Sequence, residues 1–360
     1  MPSESSWARK KYRIIQRENI APRDAFFIRA LALFCALVTG GLMILCLAKN
    51  PIHVYRDMMI GSLGSQTVLR ETIRNTIPLL IASLSVSLAF SMRFWNIGSE
   101  GQILFGAAAA SFFALFQHEK MPPLVLLIVM AIASLLAGGA AGVLPALFKA
   151  KWDTNETLFT LMINYIAICF IKYLQNGPWK DPAQRGFPKI AMFSQAARLP
   201  KVLGVHVGWM IALLLAALVS LYMNRTRHGY EIKIVGESPK TAKYAGMRVG
   251  WIMIRTMLIS GALSGLVGFV QVAGADYTLT ATTAGGAGFT AIIVAWLSKF
   301  NPILMVFVSF GIAVLQKGAG KIQTTMKIPA SMAEVLIGVI LFFMLGCEFF
   351  VSYRVIRRQK

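Results

Sequence analysis

The stretch Phe94-Trp95-Asn96-Ile97-Gly98-Ser99-Glu100-Gly101-Gln102 places two amides and a carboxylate within a segment that is otherwise apolar and glycine-rich. Residues 95–117 as a whole are apolar enough to cross a membrane. A carboxylate at membrane depth costs about 2.5–3.5 kcal/mol on insertion scales, so it is expected to face a protein interior or a water-filled path. Glu100 is therefore the first candidate functional residue.

The composition of the chain is that of an integral membrane protein. Of its 360 residues, 56% are hydrophobic and 14% are charged, and the mean hydropathy is +0.63. Long runs of Leu, Ile, Val and Ala without alternation favour helices over a closed barrel. We predict an all-α polytopic protein with about ten spans, at residues 26–48, 73–92, 95–117, 123–148, 157–174, 208–224, 251–274, 287–299, 302–318 and 331–353.

Glycines mark two further features of these spans. The run Gly285-Gly286-Ala287-Gly288 precedes a span that is short, which indicates a re-entrant or broken helix. Pairs spaced four apart, Gly138 with Gly142 and Gly261 with Gly265, allow helices to approach closely. Packing within one subunit is the favoured interpretation of these pairs, and a seam between subunits is the alternative.

The formal net charge of +21 raises the possibility of a nucleic-acid partner, but no nucleic-acid motif accompanies it. Most of the basic residues fall on the side of the N-terminus, which predicts that both termini are cytoplasmic. Contact with membrane lipids then explains the charge, and no nucleic-acid partner is expected. Residues 1–25 form a basic N-terminal segment, either an interfacial helix or a disordered tail, and residues 354–360 form a basic tail.

Residues 26–353 form the predicted transmembrane domain. Two polar segments within it lie outside the spans. The predicted outer loop, 175–207, contains prolines and glycines that favour turns over a long helix. The predicted cytoplasmic segment, 225–250, contains Ser238, Pro239 and Gly246, which suit the N-cap, the first turn and the C-terminal end of a short helix. A helix of two turns is unstable alone in water, so it must pack on its own chain or on a partner.

No set of residues for catalysis or metal binding emerges. Gly318-Ala319-Gly320-Lys321 resembles a phosphate loop but lacks its leading glycine and its Ser or Thr, so we predict a loop with a lysine and no ATP hydrolysis by this chain. The four histidines are scattered, and the four cysteines fall within spans. We predict a transport subunit and not an enzyme.

The remaining candidates are polar residues in apolar surroundings. On a helix, Asn96 and Glu100 would share a face, and Gln102 would point elsewhere. Each residue could line a path or form a structural hydrogen bond between helices. The path is favoured for Asn96 and Glu100, and the structural bond for Gln102 and Asn164. The other polar residues in spans are Tyr165, Gln271 and Glu334.

Together these motifs resemble the membrane subunits of bacterial ABC importers for sugars and branched-chain amino acids, and most closely the nucleoside (guanosine-type) permeases. The Gly-Pro-Trp loop and the Asn-Tyr pair favour the nucleoside branch. A departure is Trp296-Leu297-Ser298-Lys299, where the family more often has a small residue, Leu-Gly and a basic residue. The matching pieces are 94–102, Thr154-Asn155-Glu156-Thr157, 161–167, Gly177-Pro178-Trp179, 242–246, 260–266 and 288–295.

The resemblance implies a multi-pass permease of the bacterial inner membrane that imports a nucleoside or related small polar solute. Its implied partners are a cytoplasmic ATPase that binds ATP and Mg²⁺, a second and non-identical permease subunit, and an extracytoplasmic substrate-binding lipoprotein. No cofactor is expected in this chain. The residues expected to line the path are Asn96, Glu100, Asn164 and Phe289. Those expected to couple to the ATPase are Gly236, Glu237, Lys240, Tyr244, Ala245 and Gly246.

The chief alternative is an ion- or proton-coupled secondary transporter that works without an ATPase. Glu100 and Glu334 would then be its titrating groups. Such carriers often contain an internal repeat, and none is evident in the sequence.

Overall fold

The computed structural model describes residues 12–16, 21–182 and 186–357, and helices dominate them. Within these ranges, nine helices are long and apolar enough to cross a membrane, and a tenth apolar helix has 11 residues. The helices are α1 (Pro22–Cys46), α2 (Pro51–Leu63), α3 (Gln66–Ser91), α4 (Ser99–Phe116), α5 (Pro123–Trp152), α6 (Glu156–Asn176), α7 (Gly208–Arg225), α8 (Arg227–Glu237), α9 (Pro239–Tyr244), α10 (Val249–Gln271), α11 (Ala287–Leu297), α12 (Pro302–Met326) and α13 (Ala330–Ser352).

The ten predicted spans all correspond to helices, and the all-α membrane class is confirmed. Two helices were not predicted, α2 and α8, because neither is apolar enough to stand out as a span. The chain divides into two compact units. One unit comprises Leu63–Val314, and the other comprises Met1–Ser62 with Leu315–Lys360.

In the unit 63–314, glycines bring α5 and α10 into close contact. A Cβ on Gly261 would overlap the carbonyl oxygen of Gly138, and one on Gly265 would overlap that of Ser134. A Cβ on Gly142 would lie 2.5 Å from the carbonyl oxygen of Met257. The prediction that these glycines serve packing within one subunit is confirmed.

Buried serines join α3, α4 and α10 at the depth where α4 begins. The hydroxyl of Ser264 lies 2.7 Å from that of Ser85 and 2.8 Å from that of Ser99. Ser85 also donates to the carbonyl of Ser260 at 2.6 Å. Since Ser264 lies near the middle of the apolar helix Val249–Asp276, α4 starts at about mid-depth of the span and not at its end.

The unit formed by residues 1–62 and 315–360 packs α1 against α13. Arg29 of α1 donates to Glu348 of α13 at 2.6 Å. Strand β1 (Tyr12–Gln16) pairs antiparallel with β4 (Tyr353–Arg357). For residues 12–16 both predicted alternatives, a helix and a disordered tail, are therefore wrong. The predicted tail 354–360 is a strand as far as Arg357.

The predicted loop at Gly318–Lys321 is also wrong, because these residues lie inside α12. Their glycines permit close packing. A Cβ on Gly318 would lie 2.7 Å from the carbonyl oxygen of Met58, and a Cβ on Gly61 of α2 would overlap the side chain of Lys321. The glycines that suggested a loop therefore let two helices touch.

The predicted outer segment, 175–207, consists of turns and short elements, as its prolines and glycines indicated. Lys180 and Ile190 form an isolated antiparallel bridge. A short hairpin pairs β2 (Lys201–Val202) with β3 (Val205–His206). Residues 183–185 of the segment lie outside the described ranges.

We expect Gly265→Ala to destabilise the protein by about 1–3 kcal/mol, as overpacking of a tight core does, because the added methyl overlaps the backbone of Ser134. A thermal melt of the purified protein in detergent measures the effect. Gly311→Ala is the matched control, since a Cβ at Gly311 has nothing within 4 Å. Equal melting temperatures for the two variants would contradict the packing account.

Candidate functional site

Helix α11 is too short to cross a membrane and begins in a backbone conformation that favours glycine. Its 11 residues extend about 16 Å at the usual rise per residue. Gly285 and Gly286, which precede it, have φ values of +58° and +75°. L-residues rarely adopt such angles. The glycine run therefore starts a short interrupted helix, as predicted.

Glu100 binds the first turn of α11. Its Oε1 accepts from the amide of Gly286 and its Oε2 from the amide of Gly288, both at 2.8 Å. The N-cap residue of α11 is Gly286, which has no side chain to accept a hydrogen bond. Glu100 therefore supplies the cap from another helix. Because Glu100 also lies in the first turn of α4, its charge stands between two helix N-termini, where the dipoles favour an anion.

Asn96, in the loop before α4, pairs with Gln102 near the start of that helix. The amide of Asn96 donates to Gln102 at 3.3 Å, and that of Gln102 donates back at 3.2 Å. Asn96 Oδ1 also accepts from the amide of Gly98 at 3.1 Å. The prediction that Asn96 and Glu100 share a helix face, away from Gln102, is wrong because α4 begins only at Ser99.

Asn164 of α6 completes the cap of α4. Its Oδ1 accepts from the amide of Gly101 at 2.8 Å, and its Nδ2 donates to the carbonyl of Ile97 at 2.9 Å. These contacts supply a buried helix start with partners from another helix, because the N-cap residue Gly98 has no side chain to offer. The structural hydrogen bond favoured for Asn164 is confirmed.

Aromatic rings hold the other end of α11. Trp296 stacks on Trp95 with centroids 6.1 Å apart and an interplanar angle of 18°. Phe90 packs edge-on against Trp95 at 5.1 Å. Segment 94–102 therefore contacts α11 at both ends. Trp95 was not predicted as a contact, although the departure from the family pattern at Trp296 was a signal for it.

One predicted path residue, Phe289, lies directly after Gly288 at the Glu100 contact, and two other polar residues of the spans, Gln271 and Glu334, lie elsewhere. Phe289, in the first turn of α11, is 44% exposed. Gln271 donates to Asp276 at 3.2 Å, at the π-helical turn Val272–Asp276. Glu334 is exposed on α13, in the other unit. Glu100 is thus the one of these carboxylates that joins two helix starts.

The segment 225–250 forms two helices, where one was predicted. Ser238 caps α9 by accepting from the amide of Thr241 at 3.2 Å, and Gly246 ends the turn with φ +77°. Tyr244 is 95% exposed, and Glu237, Lys240, Ala245 and Gly246 are also exposed. Gly236 differs from them, because it is buried where a Cβ would overlap the carbonyl oxygen of Ser91.

One ion pair joins α8 to α10. Glu231 of α8 accepts from Arg255 of α10 at 2.9 Å, and within α8 it lies 3.2 Å from Arg227. Burial alone would raise the pKa of Glu231, but the hydrogen bond and charge of Arg255, together with Arg227, bring it below its ordinary value. Glu231 therefore forms a direct contact between α8 and α10.

A family model described as "Branched-chain amino acid transport system / permease component" matches residues 68–345. The chain belongs to this family. A glucose ABC transporter permease protein of Haloferax volcanii is 32% identical over 94% of this chain and 92% of its own length.

Two further relatives match over somewhat less of this chain. A guanosine ABC transporter permease protein of Bacillus subtilis is 29% identical over 87% of this chain and 91% of its own. A nucleoside ABC transporter permease protein of Lactococcus lactis is 28% identical, with 87% and 88% covered.

The chain is thus an ABC importer permease, a multi-pass protein of the bacterial inner membrane and a transport subunit. As a member of this family it works with an ATPase and a substrate-binding protein. Family membership contradicts the alternative of a secondary transporter that acts without an ATPase. Among the described residues of the permease, no three His, Cys, Asp or Glu residues cluster as metal ligands.

The predicted outer segment of the permease packs on the π-helical turn. Leu199 donates its amide to the carbonyl of Ala273 at 2.9 Å. The ring of His206 packs against Gly274, where a Cβ would lie 2.7 Å from Nδ1. Burial lowers the pKa of His206 to about 4, with the positive charges of Arg74 and Lys201 adding to the effect.

This pKa predicts a loss of stability in acid. The neutral ring stabilises the fold above the unfolded pKa of about 6.5, and between 6.5 and 4 the unfolded state binds the proton preferentially. We expect about 2 kcal/mol to be lost by pH 5. Melting temperatures from pH 7.5 to 5 measure it. His206→Gln should flatten this dependence, and an unchanged slope would contradict the assignment.

We expect Glu100→Ala to release α11, because the buried amide of Gly288 loses its acceptor at about 1–3 kcal/mol and the part-buried amide of Gly286 also loses its acceptor. Hydrogen exchange followed by mass spectrometry should show faster exchange in peptides covering 285–291. Glu100→Gln keeps one carbonyl oxygen and should give an intermediate rate. Glu334→Ala, an exposed carboxylate, is the control. Wild-type exchange in Glu100→Ala would contradict the cap.

Proposed function

We propose that this permease imports a nucleoside or a related sugar-bearing small polar solute. Three similar proteins are named as permeases for glucose, for nucleosides and for guanosine. Glucose and nucleosides share a hydroxylated sugar ring. That ring is the part of the solute that a common path would have to accommodate.

The observation that carries the proposal is the start of α11 at the Glu100 carboxylate. Interrupted helices that begin near mid-membrane are typical of transport sites, because their unpaired backbone groups lie where a solute crosses. The loop before α11 also carries hydroxyls at Thr280, Thr282 and Thr283. Phe289, six residues after Thr283, is exposed. Hydroxyl groups and an exposed aromatic ring in the same stretch of chain suit a sugar or nucleoside.

The predicted path residues take different roles in this proposal. Asn96, Glu100 and Asn164 are buried, and their side chains bind groups of the chain itself. They position α4 and α11. Phe289, the exposed member of the set, lines the path and contacts the solute.

The second proposal concerns energy coupling. ATP and Mg²⁺ are bound by the partner ATPase, and α9 is the helix that docks on it. The exposed Lys240 and Tyr244 form the contact, together with Glu237, Ala245 and Gly246. Gly236 of α8 packs against Ser91, the last residue of α3. Ser91 precedes Trp95 by four residues. Movement of the docked helix would thus reach the aromatic contact at the end of α11.

The remaining partners complete the transporter. A second permease subunit, related but not identical, forms the path together with this one. An extracytoplasmic substrate-binding lipoprotein delivers the solute on the side of segment 175–207. The exposed tip of its hairpin supports this contact, since Leu203 there is an apolar residue that is 77% exposed.

Reconstituted transport tests the solute. The permease is placed in liposomes with its ATPase, second permease and binding lipoprotein, and uptake of labelled guanosine, ribose and glucose is compared. We expect ATP-dependent uptake of at least one of them, reduced about tenfold or more by Phe289→Ala through lost contact. Uptake by the permease alone without ATPase, or a transported solute without a sugar ring, would contradict the proposal.

Docking is tested separately. We expect Lys240→Ala with Tyr244→Ala to abolish co-purification of the ATPase, because the substitutions remove an exposed charge and the exposed ring of α9. The control pair, Lys172→Ala with Tyr173→Ala, alters the same residue types on α6 and should leave co-purification unchanged. A retained ATPase in the α9 variant would overturn the coupling assignment.

A further inference from the structure

A basic groove lies between the end of α5 and the start of α10, beside α9. It encloses about 770 Å³. Its cationic lining is formed by Lys149, Lys240, Lys243 and Arg248, and its carboxylate is Asp153. The wall contributed by α10 is the first turn of that helix, including Trp251.

The charges of the groove are not balanced within the protein. Lys149 lies 2.7 Å from Asp153 and 3.3 Å from Glu156, so these carboxylates are already paired. Lys240, Lys243 and Arg248 make no side-chain hydrogen bond or ion pair with the residues that the structure describes. Three positive charges lining one cavity attract an anion from outside the chain.

The position of the groove identifies the source of that anion. Two long apolar helices, Pro123–Trp152 and Val249–Asp276, have their ends at the groove. Trp152 and Trp251 are 57% and 62% exposed at these ends, and exposed tryptophans mark the membrane–water interface. The groove therefore lies at the level of lipid headgroups.

The walls of the groove also suit a lipid better than a soluble anion. The lining also has an apolar part, to which Val249 and Met253 of α10 contribute. The neighbouring Lys151 lies 4.6 Å above the ring of Trp152, so the cationic surface continues onto α5. A free phosphate would use the cations alone, whereas a phospholipid would use both the cations and the apolar wall.

We propose that this groove binds the headgroup of an anionic phospholipid. Its phosphate pairs with Lys243 and Arg248, and its acyl chains lie along Trp251 and Met253. The proposal does not rest on the identity of the solute or on ATPase docking. It gives α9 a contact at the membrane surface, because Lys243 belongs to that helix.

Native mass spectrometry of the assembled transporter tests the site, with phosphatidylglycerol and phosphatidylcholine of matched acyl chains as probes. We expect retained phosphatidylglycerol to exceed phosphatidylcholine in the wild type. Lys243→Gln with Arg248→Gln should weaken phosphatidylglycerol binding roughly 30-fold, since each basic residue near an anionic surface contributes about five- to sixfold.

Two variants act as controls. Lys201→Gln with Arg225→Gln removes the same charge outside the groove and should leave binding unchanged. Lys243→Arg with Arg248→Lys keeps both charges and should retain the lipid, which separates a lost site from a misfolded protein.

Several results would overturn the proposal. One is equal loss of lipid in the groove variant and in the charge-removing control, which would indicate a general surface effect. Another is unchanged lipid in the groove variant with loss of the ATPase, which would assign the groove to that partner. Displacement of the lipid by millimolar inorganic phosphate would indicate a site for soluble anions.

Discussion

The contact between the Glu100 carboxylate and the amides of Gly286 and Gly288 determines the interior of the larger unit. A helix that begins inside a membrane has backbone donors that no water can satisfy. Here two such helices, α4 and α11, begin beside each other. One carboxylate satisfies two donors of α11, and its negative charge is stabilised by both helix starts.

The neighbouring contacts follow from the same constraint. Asn164 supplies the acceptor that Gly98 cannot provide to α4, and Asn96 with Gln102 closes the loop that leads into it. Glycine is required where the start of one helix comes within hydrogen-bond distance of the backbone of a neighbouring segment. At Gly288, for example, a Cβ would lie 2.8 Å from the Cα of Glu100. The polar residues of segment 94–102 therefore serve one local architecture.

Much of the fold follows from local sequence. Long apolar runs predict the spans, and Ser238, Pro239 and Gly246 predict α9 because capping depends on adjacent residues. The four-residue spacing of Gly138 with Gly142 and of Gly261 with Gly265 predicts close helix packing, but not that these two helices pack on each other. The pairing of β1 with β4 could not be predicted, since it joins Tyr12 to Arg357 and nothing local specifies it.

The sequence predicted which residues belong to the candidate site, but not how they are arranged in space. Glu100 was identified because a carboxylate in a span is costly, but its partners lie 186 and 188 residues away. Asn96 was misplaced on a helix face, because apolarity extends the span to Trp95 while α4 begins at Ser99. Hydrophobicity fixes the extent of a span, whereas the start of a helix depends on capping partners from other helices.

In the proposed mechanism Glu100 holds α11 in place and does not touch the solute, and transport selectivity in the reconstituted transporter tests this most directly. Uptake of guanosine and of glucose is measured for the wild type and for Glu100→Gln over a range of concentrations of the solute-loaded binding protein. The account predicts a lower maximal rate for both solutes with an unchanged ratio between them. An unchanged maximal rate with an altered ratio would show that Glu100 contacts the solute and would contradict the account.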